Sequence, residues 1–146
     1  MLPCDLRAEE WTEMTSKVLV VDDQYGIRAL LQEVLSRDGY QVYLAASGIE
    51  ALSIVGSERP DLVFLDMKIP GMDGLEILTN IRKIEPSMKV AMMTAYGELD
   101  LIKEAGALNA IGHFAKPFDI DEVRRFVRRV IGVPHDGPGL QQFDNV

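Results

Sequence analysis

Five short apolar runs, each followed by a stretch with helical hydrophobic spacing, constrain this chain more than any other feature of its sequence. The runs are Lys17–Val21, Gln41–Ala46, the segment from Asp61 to Asp66, Lys89–Met93 and Ile111–Ala115. Their length and β-branched content suit buried strands. After the first run, Ile27, Leu30, Leu31, Val34 and Leu35 recur at helical spacing, and Arg37-Asp38-Gly39 closes that helix with Gly39 available for a left-handed cap. A second helix, Gly48–Ser57, turns Leu52 and Val55 inward and stops before Pro60. A third begins at Gly74, carries Leu75, Leu78, Ile81 and Arg82, and closes at Glu85-Pro86. The pattern from Glu98 to Leu108 is broken by Gly106, so a short or mobile helix is expected there. The last helix starts at Asp119 or Asp121 and buries Val123, Phe126, Val127, Val130 and Ile131.

Repeated strand-helix alternation implies a parallel sheet with helices on both faces, because a parallel neighbour is reached only by a crossover. Right-handed crossovers leave few topologies. Five units suit an α/β fold of the flavodoxin-like (βα)5 kind, a three-layer sandwich with a five-stranded parallel sheet of order 2-1-3-4-5. One domain is expected over residues 16–131, with an N-terminal extension at 1–15 and a Gly- and Pro-rich flexible tail at 132–146. For the extension two readings stand: a true start at Met14, or a helical arm. No output domain is expected after the tail.

Charge narrows the partners. A net charge of -8 argues against nucleic acid, which needs clustered Lys and Arg on a positive face. It favours a cationic partner or a metal ion. Cys4 is the only cysteine, which rules out an internal disulfide framework and fits a reducing, cytoplasmic setting. No apolar run reaches membrane-spanning length, and residues 1–15 lack the basic start and apolar centre of a secretory signal, so no membrane partner is expected. A monomer is expected.

The third run ends in a single carboxylate, Asp66, and the chain then turns through Pro70-Gly71 and Asp73-Gly74. Strands of open α/β sheets present their carboxyl ends to the ligand crevice. In the order 2-1-3-4-5 the first and third strands are neighbours, so Asp22 and Asp23 converge with Asp66. Three such acids repel one another, and one pKa rises unless a cation neutralises them. Oxygen ligands in an incomplete cage suit Mg²⁺, with Mn²⁺ as a substitute. Adjacent acids at a strand end can also simply solvate a loop, and Asp22-Asp23 alone would not decide between the two. The fourth strand adds the hydroxyl of Thr94 and the fifth adds Lys116, a point charge suited to phosphate. Together they fit covalent phosphorylation of a carboxylate, with Asp66, Thr94 and Lys116 in the catalytic roles.

The motifs Val21-Asp22-Asp23, Leu65-Asp66-Met67-Lys68-Ile69-Pro70-Gly71-Met72-Asp73-Gly74, Met93-Thr94-Ala95 and Ala115-Lys116-Pro117-Phe118 resemble the receiver domains of two-component response regulators. The resemblance implies that Asp66 accepts a phosphoryl group from a phosphohistidine on a histidine kinase. It also implies that Asp23 ligates the metal directly, Asp22 mainly through water and Lys68 through its backbone carbonyl, and that Lys116-Pro117 is a cis peptide. Within the family, the runs from Asp22 to Arg28, Thr94 to Asp100 and His113 to Glu122 are similar to single-domain carriers of sporulation phosphorelays, which pass the group on to a histidine phosphotransferase. Phosphoryl transfer through such a carrier is stoichiometric rather than conventional turnover.

The partner is expected to dock on Gln24, Tyr25, Gly26, Ile27, Leu30, Tyr96, His113, Pro117 and Phe118, with Tyr25, Ile27 and Phe118 partly exposed. Ile27 and Leu30 equally fit the core stripe of the first helix. His113 stands where many receivers carry an aromatic switch, so no large aromatic switch is expected. Lys68 and Tyr96 are placed to hinder water and lengthen the life of an aspartyl phosphate. Arg124, Arg125, Arg128 and Arg129 read as a solvated face that complements the helix dipole. Two other functions compete: a chemotaxis-type module whose phosphorylation switches binding, and a phosphatase of the haloacid dehalogenase kind. The latter needs an acid two residues after its nucleophile, where this chain has Lys68.

Overall fold

The computed structural model describes residues 16–94 and 99–132, with the side chains of 99–101 excepted. The expected extension at 1–15, the tail beyond Gly132 and Tyr96 lie outside the described residues. The elements are β1 (Lys17–Val21), α1 (Tyr25–Arg37), β2 (Gln41–Ala45), α2 (Gly48–Glu58), β3 (Leu62–Asp66), α3 (Gly74–Ile84), β4 (Val90–Thr94), α4 (Leu99–Ala107), β5 (Gly112–Ala115) and α5 (Ile120–Ile131). All strand pairs are parallel and the sheet order is β2-β1-β3-β4-β5, the flavodoxin-like arrangement.

Alternation along the strands feeds two separate cores. Leu19, Val21, Val63, Leu65, Val90 and Met92 pack on one face with Ala51, Val55, Ile77, Leu78 and Ile81 from α2 and α3. Val18, Val20, Leu62, Phe64, Ala91 and Met93 pack on the other with Leu31 and Leu35 of α1 and Val123, Phe126 and Val127 of α5. Phe64, Phe114 and Phe126 form a tilted aromatic cluster there, with ring centroids 5.1 to 6.2 Å apart. Buried on both faces, β3 and β4 have no outward polar row, which is why they read as unbroken apolar runs.

Helix starts follow side-chain caps where the sequence provides them. Ser47 accepts from the Glu50 N–H at 3.2 Å, and the Glu50 carboxylate accepts from the N–H of Ala46, the residue before the cap, at 2.8 Å. Asp73 accepts from the Glu76 N–H at 2.9 Å and so opens α3 directly after the turn that follows Asp66. Gly39, at φ 101°, ends α1 as its position in the sequence implies.

Several expectations need correction. α4 is short as expected, nine residues, but Gly106 does not break it: the helix runs through it to Ala107, buried Ala105 anchors it, and one exposed glycine costs only about 1 kcal/mol. Leu30 leaves the core stripe, being 43% exposed, while Ile27 packs half-buried against the core. Val130 and Ile131 are half-buried, and Ile77, not singled out by its spacing, is fully buried. Arg124 is more than a solvated charge: its guanidinium donates to both carboxylate oxygens of Asp38 at 2.9 Å and so ties α5 to the end of α1. A second tie joins the same parts, as the Tyr40 hydroxyl donates to the Gly132 carbonyl at 2.7 Å.

Candidate functional site

The strand order makes β1 and β3 neighbours, and residues at their carboxyl ends meet as the topology requires. Asp22 follows β1, its N–H donating to the Ala45 carbonyl at 3.1 Å, and its side chain is wholly buried. Asp66 is the last residue of β3 and is 6% exposed, whereas Asp23 faces solvent. Carboxylate oxygens of Asp22, Asp23 and Asp66 lie within 4.8 Å of one another. Three hard oxygen donors at that spacing, one of them open to solvent, fit a divalent cation that retains water.

Lys116 reaches this cluster from the end of β5. Its ammonium donates to Asp22 Oδ2 at 2.7 Å, Gln24 Oε1 at 3.2 Å and Asp66 Oδ2 at 3.3 Å. The following bond, Lys116-Pro117, is cis, in agreement with the family resemblance. Burial drives the Asp66 carboxyl up to about 6; Asp22 adds to the rise, and Lys116 and the Lys68 N–H oppose it. Repulsion among the acids was the cause anticipated from the sequence, but desolvation is the larger effect. Burial pulls the Lys116 ammonium down, yet its bonds to Asp22 and Asp66 outweigh that and hold it above the usual lysine range.

The Lys68 N–H donates to Asp66 Oδ1 at 3.3 Å while the residue as a whole is exposed. Thr94 is buried at the end of β4, and its hydroxyl donates to the Phe114 carbonyl at 3.4 Å, a long bond that is readily given up. His113, Pro117, Gln24, Tyr25 and Gly26 are exposed; Ile27 and Phe118 are half-buried. Tyr25 is 77% exposed, with the Arg28 guanidinium 5.8 Å from its ring centre.

Two participants escaped notice in the sequence. Arg28 donates to the Asp22 carbonyl at 2.8 Å and so fixes the acidic loop from the first turn of α1. Gln24, assigned only to partner docking, touches Lys116. The available clue is that glutamine is a poor N-cap, so its presence where Ser, Thr, Asp or Asn normally opens a helix points to another use. Gly74 is a third constraint: a Cβ there would lie 2.5 Å from the Asp66 carbonyl oxygen.

Fold and site together define a doubly wound α/β domain with a lysine-faced acidic crevice at its switch point. The chain belongs to the response regulator receiver domain family, whose model matches residues 18–128. It is 59% identical over 118 residues to Sporulation initiation phosphotransferase F of Bacillus subtilis (strain 168), covering 81% of this chain and 95% of that protein. It is 39% identical over 114 residues to the DNA-binding transcriptional regulator NtrC of Escherichia coli (strain K12), covering 78% of this chain but only 24% of that one. Among solved structures, the Vibrio cholerae chemotaxis protein CheY4 superposes with a TM-score of 0.74 at 31% identity, over 80% of this chain and 98% of that one.

Proposed function

We propose that this chain is a phosphorelay response regulator: Asp66 takes a phosphoryl group from a phosphohistidine on a histidine kinase and passes it to a histidine phosphotransferase. The observation that carries the chemistry is the convergence of Asp66 with Asp22, Asp23 and Lys116 at one strand end. A role as carrier is supported by the 59% identity, over 81% of this chain and 95% of the relative, to a protein named as a sporulation initiation phosphotransferase. Among the described residues no helix is long and apolar enough to cross a membrane.

In the forward step an Asp66 oxygen forms a bond to phosphorus as the phosphorus–nitrogen bond of the donor breaks, its electron pair returning to the imidazole. Transfer to the second partner is the same exchange in reverse. With its pKa at about 6, Asp66 is mostly the carboxylate nucleophile at pH 7. Lys116 donates to a phosphoryl oxygen, and Thr94 does so after its hydroxyl leaves the Phe114 carbonyl. Asp22, Asp23, Asp66 and the Lys68 carbonyl would hold Mg²⁺, or Mn²⁺ in its place. Bound there, the cation supplies neutralising charge for the phosphoryl oxygens.

Docking falls to the patch of Gln24, Tyr25, Gly26, Ile27, Leu30, Tyr96, His113, Pro117 and Phe118, and the exposure of Tyr25 at 77% and Leu30 at 43% suits that task. The test is sequential transfer from a labelled, phosphorylated kinase with Mg²⁺, then addition of a histidine phosphotransferase. Label should reach the phosphotransferase with wild type and not with Asp66→Asn. Labelling of Asp66→Asn would overturn the site, and label that stays on the wild-type chain would favour the phosphorylation-switched binding module.

A further inference from the structure

We infer that Gln24 is a positioning residue for Lys116, its side-chain carbonyl holding one ammonium N–H so that the others stay aimed at the acids. The inference rests on Asp66 being the phosphoryl acceptor. Gln24 occupies the N-cap of α1, yet its side chain makes no cap bond. It turns instead to Lys116, accepting from Nζ at 3.2 Å, while its backbone N–H donates to Asp22 Oδ1 at 2.9 Å. One residue therefore contacts both members of the tightest ion pair in the site, Lys116 and Asp22 at 2.7 Å.

An ammonium has three N–H groups, and three acceptors surround this one: Asp22 Oδ2, Gln24 Oε1 and Asp66 Oδ2. The two carboxylates change during the reaction. Asp66 loses its negative charge when its oxygen becomes part of an acyl phosphate, and any cation held by the acids competes with Lys116 for Asp22. The Gln24 amide is neutral and undergoes neither change, so it is the constant member of the three. Neutrality serves a second purpose, since a carboxylate at position 24 would set a fourth acid against a single lysine. Lysine has a flexible four-carbon stem, and a fixed acceptor limits the positions its charge can adopt.

Acetyl phosphate separates this role from docking, because it phosphorylates without a protein partner. An Asp66 oxygen bonds to phosphorus, the bond from phosphorus to the acetate oxygen breaks, and acetate departs with the electron pair; Gln24 exchanges no atom or proton. At saturating donor, Gln24→Ala and the near-isosteric Gln24→Met should each be slowed about fivefold, the equivalent of one ordinary hydrogen bond. Lys116→Ala should be slowed on the order of 100-fold, as for loss of a charged donor to the reacting oxygens. In the Lys116→Ala background neither Gln24 change should slow the reaction further. A second readout uses the metal-free protein: the Lys116 ammonium should give a slowly exchanging N–H resonance in wild type that is lost in both Gln24 variants. Full-rate phosphorylation of Gln24→Met, additive losses with Lys116→Ala, or an unchanged lysine resonance would each overturn the inference. If wild type takes up no label, the acceptor reading of Asp66 falls, and the resonance alone decides whether Gln24 holds Lys116.

Discussion

A single methyl group at Gly74 tests how tightly the chain is wound beneath Asp66. The Cβ of Gly74→Ala would stand 2.5 Å from the Asp66 carbonyl oxygen, 2.7 Å from Met67 Cα and 3.1 Å from the Met67 carbonyl oxygen. The Gly74 N–H already donates to that Met67 carbonyl at 2.8 Å, so the two backbone segments are fastened face to face. Two effects oppose each other. Alanine is better than glycine in a helix by up to about 1 kcal/mol. Overpacking costs about 1–3 kcal/mol, and this site belongs at the upper end because the obstructing atoms are backbone and cannot rotate aside. The net expectation is a loss of about 2 kcal/mol, which at a urea slope of roughly 1–3 kcal/mol/M lowers the unfolding midpoint by about 1 M. Gly106→Ala is the control: Gly106 lies in α4 with nothing within 4 Å of its Cβ position, and the change should stabilise by about 0.5–1 kcal/mol. Urea unfolding of both variants decides the matter. Equal or greater stability of Gly74→Ala would refute the close approach as the reason for glycine there.

Asp66→Asn should stabilise the metal-free protein near neutral pH. The folded-state pKa of about 6 lies above the unfolded value near 3.8, so the folded protein binds the extra proton and stability falls as pH rises between them; the gain from Asn is at most about 3 kcal/mol above pH 6 and vanishes below pH 4, as urea midpoints across pH would show. Arg124→Ala should cost about 1 kcal/mol in the same assay, discounted because the side chain is 41% exposed, and Asp38→Ala should add little to it. Lys68→Asn should hasten loss of phosphoryl from Asp66 several-fold, because Lys68 lies exposed two residues after the acid, where its side chain can screen the phosphoryl group; decay of labelled protein at the wild-type rate would reject that role.

Sheet order and the meeting of the acids could be read from the sequence because both depend on chain order and apolar spacing. Once the strand-helix units are counted, neighbouring β1 and β3 bring Asp22 and Asp66 together. Lys116 could be read the same way, as the last residue before a proline at a strand end. Side-chain reach could not. Nothing in the spacing of Gln24 and Lys116 fixes whether the amide faces solvent or the ammonium, and only the turn of α1 settles it. Arg124 and Asp38 are 86 positions apart and meet only because α5 lies along the end of α1. Leu30 was ambiguous for a different reason: a helix beside a sheet buries a stripe narrower than the run of apolar residues on α1, and the residue at the margin faces outward.

The placement of buried polarity carries the functional reading further than any one contact. Among the described residues, the buried polar or charged side chains are Asp22, Asp66 and Thr94. All three stand at carboxyl ends of strands, and Lys116 reaches the two acids among them. Removing a carboxylate from water is among the costliest substitutions a fold can accommodate, and the two cores are otherwise built from hydrophobic residues, with the Tyr40 hydroxyl satisfied by the Gly132 carbonyl. Asp22 is offset by its 2.7 Å pair with Lys116, but Asp66 is left with the longer 3.3 Å contact and a carboxyl driven up to about 6. Lys116 thus favours Asp22 and leaves the acid at the end of β3 undercompensated. An undercompensated carboxylate stabilises the fold poorly and is well suited to gaining a cation and giving up its charge to a phosphoryl group.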